Sequence, residues 1–258
     1  MYAQSIRKAA RYLRSTALHP QRLLEKRPGT ASWVASLVSG RSLDVGCAGR
    51  RIQKHLPAEA HRIGLDCSVT GKQIFGARPD VFADANLLPF ADASIDSAVM
   101  LEVIEQLRAP QVGQREIHRV PAPGGCAPAS MPFPYPVHDA PLDYQRMTEH
   151  GLVRDMQAAG LRADALAPTL GSAETAGLIA CLATAGMALR AWQQRTPAML
   201  PLLVCAIAVA NLLAWLAGRV GPSWNAITNG YRLMATQLHV PTDEPQHSLR
   251  VFAIRAIA

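Results

Sequence analysis

Between about residue 30 and residue 168, short apolar stretches alternate with segments whose apolar residues recur every three or four positions. The first kind predicts strands at 42–46, 62–66, 81–84, 96–101, 125–131 and 162–167. The second predicts helices over 31–38, 69–75, 112–120 and 148–159. In the third of these helices Ile117 and Val120 lie one turn apart while the charges fall elsewhere. The fourth opens with Thr148-Glu149, an N-cap residue followed by an acidic first turn. Strands alternating with helices are the pattern of a βαβ sheet.

After residue 170 the texture changes. Residues 178–189 carry no charge, and residues 198–217 are broken only by Asn211. Between them lies Arg190-Ala191-Trp192-Gln193-Gln194-Arg195-Thr196-Pro197, and Arg219 follows the second run. A membrane helix needs about 20 residues to cross a hydrocarbon core of about 30 Å. The second run meets that length, and the first is too short to span alone. The pattern predicts an apolar helical hairpin that enters or rests in one leaflet, with arginines and tryptophan at the interface. A hairpin buried on the sheet and an oligomer interface fit the same residues. Residues 231–238 read as a last strand, so the hairpin is an insertion before it. The chain thus divides into a helical arm (1–29), a core (30–170), a hydrophobic insertion (171–222), and a last strand with its tail (223–258).

With 258 residues, about half of them apolar and only 17% charged, the chain can bury a real core, which excludes a disordered protein. Cys47, Cys67, Cys126, Cys181 and Cys205 form no CxxC pair and no ligand spacing with histidine. That predicts reduced thiols in a cytosolic setting and no metal site. The net charge of +7 is concentrated: residues 1–27 hold seven basic side chains against Glu25 alone, and the remainder is nearly balanced. Ile6, Ala10, Leu13 and Ala17 lie at helical spacing within this arm. An amphipathic helix on anionic lipid fits, as does a solvated surface helix. No aromatic residues interleave the basic ones, which disfavours a nucleic-acid partner. No long apolar secretory core opens the sequence. These features point to the cytoplasm at the inner face of a membrane.

Candidate chemistry begins at Ser42-Leu43-Asp44-Val45-Gly46-Cys47-Ala48-Gly49-Arg50-Arg51, a short strand running into a turn of small residues. Ala48 and Arg50 stand where further glycines would be expected. Asp66 ends the second strand 22 residues after Asp44, well placed to accept hydrogen bonds from two ribose hydroxyls. Asp84, at the end of the third strand, can accept from an exocyclic amine. Each acid, taken alone, is equally a cap or a turn residue.

In combination these segments resemble the class I S-adenosylmethionine-dependent methyltransferases, in particular their small-molecule type. The likeness runs in order through residues 41–160. It includes Leu43-Asp44-Val45-Gly46-Cys47, Gly64-Leu65-Asp66, Asp84-Ala85-Asn86-Leu87-Leu88-Pro89-Phe90 with Asp92, Ser94 and Asp96, then Glu105-Gln106-Leu107, Glu116-Ile117-His118-Arg119-Val120 and Pro123-Gly124-Gly125. The resemblance implies a Rossmann-like α/β fold: seven strands, mostly parallel, helices on both faces, the last strand antiparallel. It implies S-adenosyl-L-methionine as cofactor, across the carboxyl ends of the strands. Asp44, Val45, Gly46, Cys47 and Ala48 would border its methionine end, Asp66 and Cys67 the ribose, and Asp84 and Ala85 the adenine. Leu101 and Glu102 would line the crevice beside it.

The segment His138-Asp139-Ala140-Pro141-Leu142-Asp143-Tyr144-Gln145-Arg146-Met147-Thr148 resembles the H-x-x-P-x-D-Y-x-R-[FY]-T stretch of one subgroup. His138 is the candidate base, with Tyr144 and Arg146 holding an acceptor. A loop whose shape is fixed by an Asp143–Arg146 pair fits the same residues. The expected partner is a small-molecule or lipid-linked methyl acceptor, with membrane contact through 1–27 and 178–217 or an oligomer through the hairpin. Pro128 falls inside the fifth predicted strand, where it removes a ladder donor and predicts a bulge. That position and the altered glycine turn leave a second reading, a non-catalytic cofactor-binding or scaffold protein.

Overall fold

In the computed structural model the described residues are Leu24, 29–48, 52–57, 60–222 and 224–237. The expected amphipathic arm lies outside them, apart from Leu24 and Gly29, as do Gly49, Arg50 and Arg51. The described chain forms two compact units. One carries the sheet and comprises residues 28–133, 137–167 and the segment from 230 onward. The other includes residues 134–136 and 168–229.

The sheet unit contains β1 (Arg41–Val45), β2 (His61–Asp66), β3 (Val81–Phe82), β4 (Ile95–Leu101), β5 (Pro121–Cys126), β6 (Ala129–Pro132), β7 (Leu161–Pro168) and β8 (Gly230–Gln237). They join in the order β3-β2-β1-β4-β5-β8-β6, with β6 also pairing β4 and β7 pairing β8. β1 to β6 are parallel where they pair, and β8 runs antiparallel to β5 and β6. Eight segments replace the seven expected strands because the predicted strand 125–131 is divided into β5 and β6.

The expected bulge at Pro128 is corrected by the register. Against β4, Ser97 faces Cys126 and Met100 faces Ala129, so the pairing steps evenly across the proline. Against β8, Cys126 faces Thr236 and Ala129 faces Leu233, again in step. The Pro128 carbonyl still accepts from the Met100 N–H at 3.0 Å, and Ala127 donates to the Ala235 carbonyl at 2.7 Å. The irregularity falls earlier: Ile95 pairs Pro121 but Ser97 pairs Cys126, so the extra residues lie within 122–125. Gly124 there has φ of 79°, a conformation that glycine adopts without a Cβ penalty.

Helices α1 (Thr30–Ala35), α2 (Pro110–Arg119) and α3 (Glu149–Ala158) cover the two faces. Because successive strand residues point to opposite sides, Ala98 and Met100 of β4 join one core cluster while Val99 joins another. The first cluster takes Ile117 from α2 and Leu152 and Met156 from α3; the second takes Val34 from α1. Thr148 caps α3, its hydroxyl accepting the Gly151 N–H at 3.2 Å. The segment read as helix 69–75 is a wide, π-type turn of helix over Ser68–Phe75.

The second unit is built on α4 (Ser172–Gln193) and α5 (Leu200–Val220), the expected hairpin, both helices longer than their uncharged runs. Small residues let the two backbones approach. A Cβ on Gly177 would collide with Ala214, and one on Gly218 with Glu174. Asn211, the lone polar break in the second run, is buried and lies 3.5 Å from the Cys181 thiol.

Candidate functional site

Parallel strands bring their carboxyl ends to one edge, and that edge collects every predicted cofactor residue. The turn after β1 holds Gly46, Cys47 and Ala48. Gly46 has φ of 71°, and a Cβ there would collide with Val103. The Gly46 and Cys47 N–H groups both donate to the Leu65 carbonyl, at 2.8 and 3.0 Å. Ala48 takes φ of 39° without a glycine, and its N–H donates to Asp66 Oδ2 at 2.8 Å. Asp66, buried at the end of β2, therefore ties the first turn to the second. A Cβ on Gly71 would collide with the same carboxylate, so that glycine makes room for it. Cys67 follows, half-buried.

Asp44 is placed differently from its neighbours. Its carboxylate is held inside β1 by Arg62 of β2, with Nε at 3.0 Å and a terminal nitrogen at 2.9 Å. Both side chains are about 95% covered. Burial pushes the Asp44 carboxyl up to about 6, against the lowering pull of Arg62. Burial also pushes the Cys47 thiol up to about 11, with Asp44 adding to it, so Cys47 is a neutral thiol. Arg62 is a site residue that the sequence motifs do not mark; its signal there is a cation at the start of a strand that should be apolar.

After β3, Asp84 is exposed, and its Oδ1 accepts the Asn86 N–H at 2.8 Å, a local turn bond. Ala85 beside it is buried. Two of the separately spaced sequence motifs meet here. Glu116 accepts the Leu88 N–H at 2.8 Å. Arg119 donates to the carbonyls of Leu88 and Phe90 at 3.0 and 2.8 Å and to Asp92 at 2.6 Å. The Arg119 hydrogen bonds hold the Glu116 carboxyl below its ordinary range. The pair from α2 thus clamps the loop on which Asp84 and Ala85 stand.

At the end of β4, Leu101 is half-buried, and Glu102 is exposed with φ of 55°. Glu102 accepts from the Ser130 hydroxyl at 2.7 Å, which ties β4 to β6 at this edge. Three residues on, Glu105 is fully buried, and neither carboxyl oxygen has a hydrogen-bond partner. Burial, and then Glu102, push its carboxyl well above the ordinary range.

The loop after β6 folds back over this segment. Gln145 donates to the carbonyls of Ile104 and Leu107, and the Tyr144 N–H donates to the Glu105 carbonyl at 2.9 Å. Asp143 is its hub. Its carboxylate takes two bonds from Arg146, accepts the His138 N–H at 2.8 Å, and lies 3.3 Å from His138 Nδ1. The Arg146 bonds hold the Asp143 carboxyl below its usual range. His138 Nε2 lies 4.0 Å from both Glu105 and Asp139. Tyr144 is turned to Arg108, whose Nε donates to its hydroxyl at 2.9 Å. The structure therefore brings His138 and Arg146 together through Asp143, and places Tyr144 in a separate pair. A shallow depression lined by Gln53, Leu56, His61 and Arg62 opens at the start of β2, the end of that strand away from Asp66.

Residues 43–127 match the family model described as a methyltransferase domain. That match takes in 85 of the 258 residues and agrees with the likeness carried by the sequence motifs. Among solved structures, a S-adenosylmethionine-dependent methyltransferase from Thermotoga maritima aligns over 92% of this chain and 100% of its own, at 15% identity and a TM-score of 0.53. Another from Mesorhizobium loti aligns over 81% of this chain and 99% of its own, at 15% identity and a TM-score of 0.48. The first of these likenesses shows the fold. No curated protein matches the sequence.

S-adenosylmethionine is the cofactor that these likenesses support, and the residues at this edge suit it. Asp66 and Asp84 are acceptor-only groups, matching ribose hydroxyls and an adenine amine, both donors. Asp66, Asp84 and Glu102 make the edge acidic, which suits a cofactor carrying a sulfonium and an ammonium against one carboxylate, while the charge of Asp44 is met by Arg62. Among the described residues no cluster of three or more metal-ligating side chains occurs.

Proposed function

We propose that the chain transfers a methyl group to a small or lipid-linked acceptor at a membrane surface. The observation that carries this reading is the convergence of two separately read segments on one sheet edge: the Gly46–Asp66 cofactor turn and the His138 loop, tethered to the Ile104–Leu107 segment. Asp66 and Cys67 border the ribose, Asp84 and Ala85 the adenine, and the turn from Asp44 to Ala48 the methionine end; Leu101 and Glu102 line the crevice between them. Bound there, the cofactor supplies an already activated methyl on sulfur. The protein's work is then alignment of the nucleophile and exclusion of water. His138 takes the acceptor's proton where the acceptor must lose one. Asp143 and Arg146 both reach Nδ1 of the imidazole and hold the ring, and Arg146 fixes Asp143 in turn. Tyr144, held by Arg108, borders the acceptor.

The scaffold reading rested on the altered glycine turn and Pro128. The ladder keeps its register past Pro128, so that feature does not favour it, while Arg50 of the turn lies outside the described residues. Full-length protein in detergent, given methyl-labelled cofactor and either membrane-lipid or soluble extract, is expected to label one fraction. His138→Ala is expected to abolish labelling while retaining cofactor binding. Binding without any labelled product from either fraction would refute catalysis and leave the scaffold reading.

A further inference from the structure

Helices α4 and α5 have the length of membrane spans but not the burial of core helices. At 1.5 Å per residue, 22 and 21 residues reach about 33 and 32 Å, against a hydrocarbon core of about 30 Å. Less than a third of the apolar stretch of either helix is buried, and on α5 Leu202, Val204, Val209, Leu212, Leu213 and Val220 are large apolar side chains open to the outside. A soluble protein rarely leaves so large a contiguous apolar face uncovered.

The contact between the helices is of a different kind. Its seam pairs Glu174 with Gly218, Gly177 with Ala214, and Cys181 with Asn211, in antiparallel register. Small residues that admit close backbone approach, with a buried polar contact between them, are what hold helices together where no hydrophobic force acts between them. On α5 most of the large apolar groups face outward, while the seam is built mainly of small and polar residues with Leu178 and Leu203 beside them, unlike the large apolar seam of a water-soluble hairpin.

The ends are belted as well. Trp192 and Arg195 are exposed at one end, beside Arg190 in the last turn of α4. At the other, the Arg219 guanidinium lies 4.0 Å above the Trp215 ring, and Trp224 is exposed. Tryptophan and arginine concentrate at the two membrane–water interfaces. Between Glu174 and Arg190 the uncharged run is about 22 Å, and Arg190 reaches the interface by extending its stem.

We infer that α4 and α5 cross the bilayer as a transmembrane hairpin, rather than resting in one leaflet. The chain enters from β7 and leaves toward β8, so the ends at Ser172 and Val220 share one side and the connecting residues 194–199 lie on the other. Arg154, Arg162, Arg219 and Arg232 flank the first side, against Arg190 and Arg195 on the second, so the first side is cytoplasmic. This deepens the membrane part of the proposed function and rests on it for the acceptor's location alone.

The test uses the full chain in a bacterial host, with sealed vesicles and a membrane-impermeant maleimide. Leu87→Cys, exposed in the methyltransferase domain, marks the near side, and Gln194→Cys marks the connecting loop. Both are scored against the parent chain with its native cysteines. The parent is expected to stay in the membrane after alkaline carbonate. Gln194→Cys is expected to gain label only in right-side-out vesicles, and Leu87→Cys only in inside-out ones. Labelling of both from the same face would overturn the span in favour of one-leaflet insertion. Release by carbonate as a soluble dimer would overturn it in favour of a second copy covering the hairpin. Methyl transfer measured in detergent stands apart from either outcome, so failure of the hairpin and failure of the enzyme are told apart.

Discussion

Removing the Arg62 guanidinium should expose what holds the cofactor turn in place. Arg62 is the ion-pair partner of Asp44 in the structure, and both side chains are almost wholly covered. Burial raises the Asp44 carboxyl from 3.8 to about 6 even with the arginine present. Because the folded value is above the unfolded one, the native state binds this proton more tightly. Stability from this group is therefore greatest below about pH 4 and declines as the pH rises to about 6. A shift of about two units corresponds to about 3 kcal/mol. In Arg62→Leu the opposing pull of the guanidinium disappears, so the decline continues to higher pH. At pH 8 an uncompensated buried carboxylate is expected to destabilise by about 3–5 kcal/mol, lowering Tm by about 10 °C for a chain of this size. At pH 5, where the carboxyl is largely protonated in both proteins, the gap should shrink to less than half. The assay is thermal unfolding by circular dichroism of full-length protein in detergent at the two pH values. Adding Asp44→Asn should recover part of the loss at pH 8. A gap independent of pH, or a double variant no better than Arg62→Leu, would refute the reasoning.

Other substitutions test other parts of the structure. Gly46→Ala meets both a positive φ and the Val103 side chain, and should lose about 2–3 kcal/mol in urea unfolding. Combining it with Val103→Ala should recover about half; no recovery would place the strain elsewhere. Asp143→Asn frees both His138 and Arg146, and is expected to lower kcat about 10–100-fold with cofactor affinity unchanged. Because Asp143 is held below its unfolded range, the stability it contributes is present at neutral pH and is lost as the pH falls through its folded value, so the variant and parent should begin to draw together only once the pH drops below about 4. Gly177→Leu forces α4 from Ala214 and should leave the hairpin open to protease while the methyltransferase domain still melts as before.

The order of strands and helices was legible because most periodicities were undisturbed, as in α3, where the Thr148 cap and acidic first turn mark the start that the structure shows. The fifth strand was not. Pro128 looks disruptive in sequence because it lacks an N–H, yet its carbonyl still pairs and the register passes through it. The bulge sits instead at Ala122–Gly125, where Gly124 supplies the left-handed residue. At the site, residues carried by strand ends were legible, since a strand terminus fixes which edge a side chain occupies. Partnerships between distant positions were not. Nothing in the sequence pairs Arg62 with Asp44, aims Glu116 and Arg119 at the Leu88 loop, or turns Tyr144 to Arg108. Glu105 reads as part of a short motif, and only the packing around it shows a buried carboxyl without hydrogen-bond partners. The hairpin gave its existence through composition. Its seam of Gly177, Cys181, Asn211 and Gly218 emerges only when the two helices are set side by side.

The most direct measurement is calorimetric titration of the detergent-solubilised full chain with S-adenosylmethionine, comparing the parent with Asp66→Asn. The amide can still accept the Ala48 N–H, so the turn is kept while the charge facing the ribose is lost. Binding of one cofactor per chain is expected, weakened about tenfold or more in the variant with little change in Tm. Equal affinity in the two proteins, or no binding by the parent, would contradict a cofactor site at this edge of the sheet.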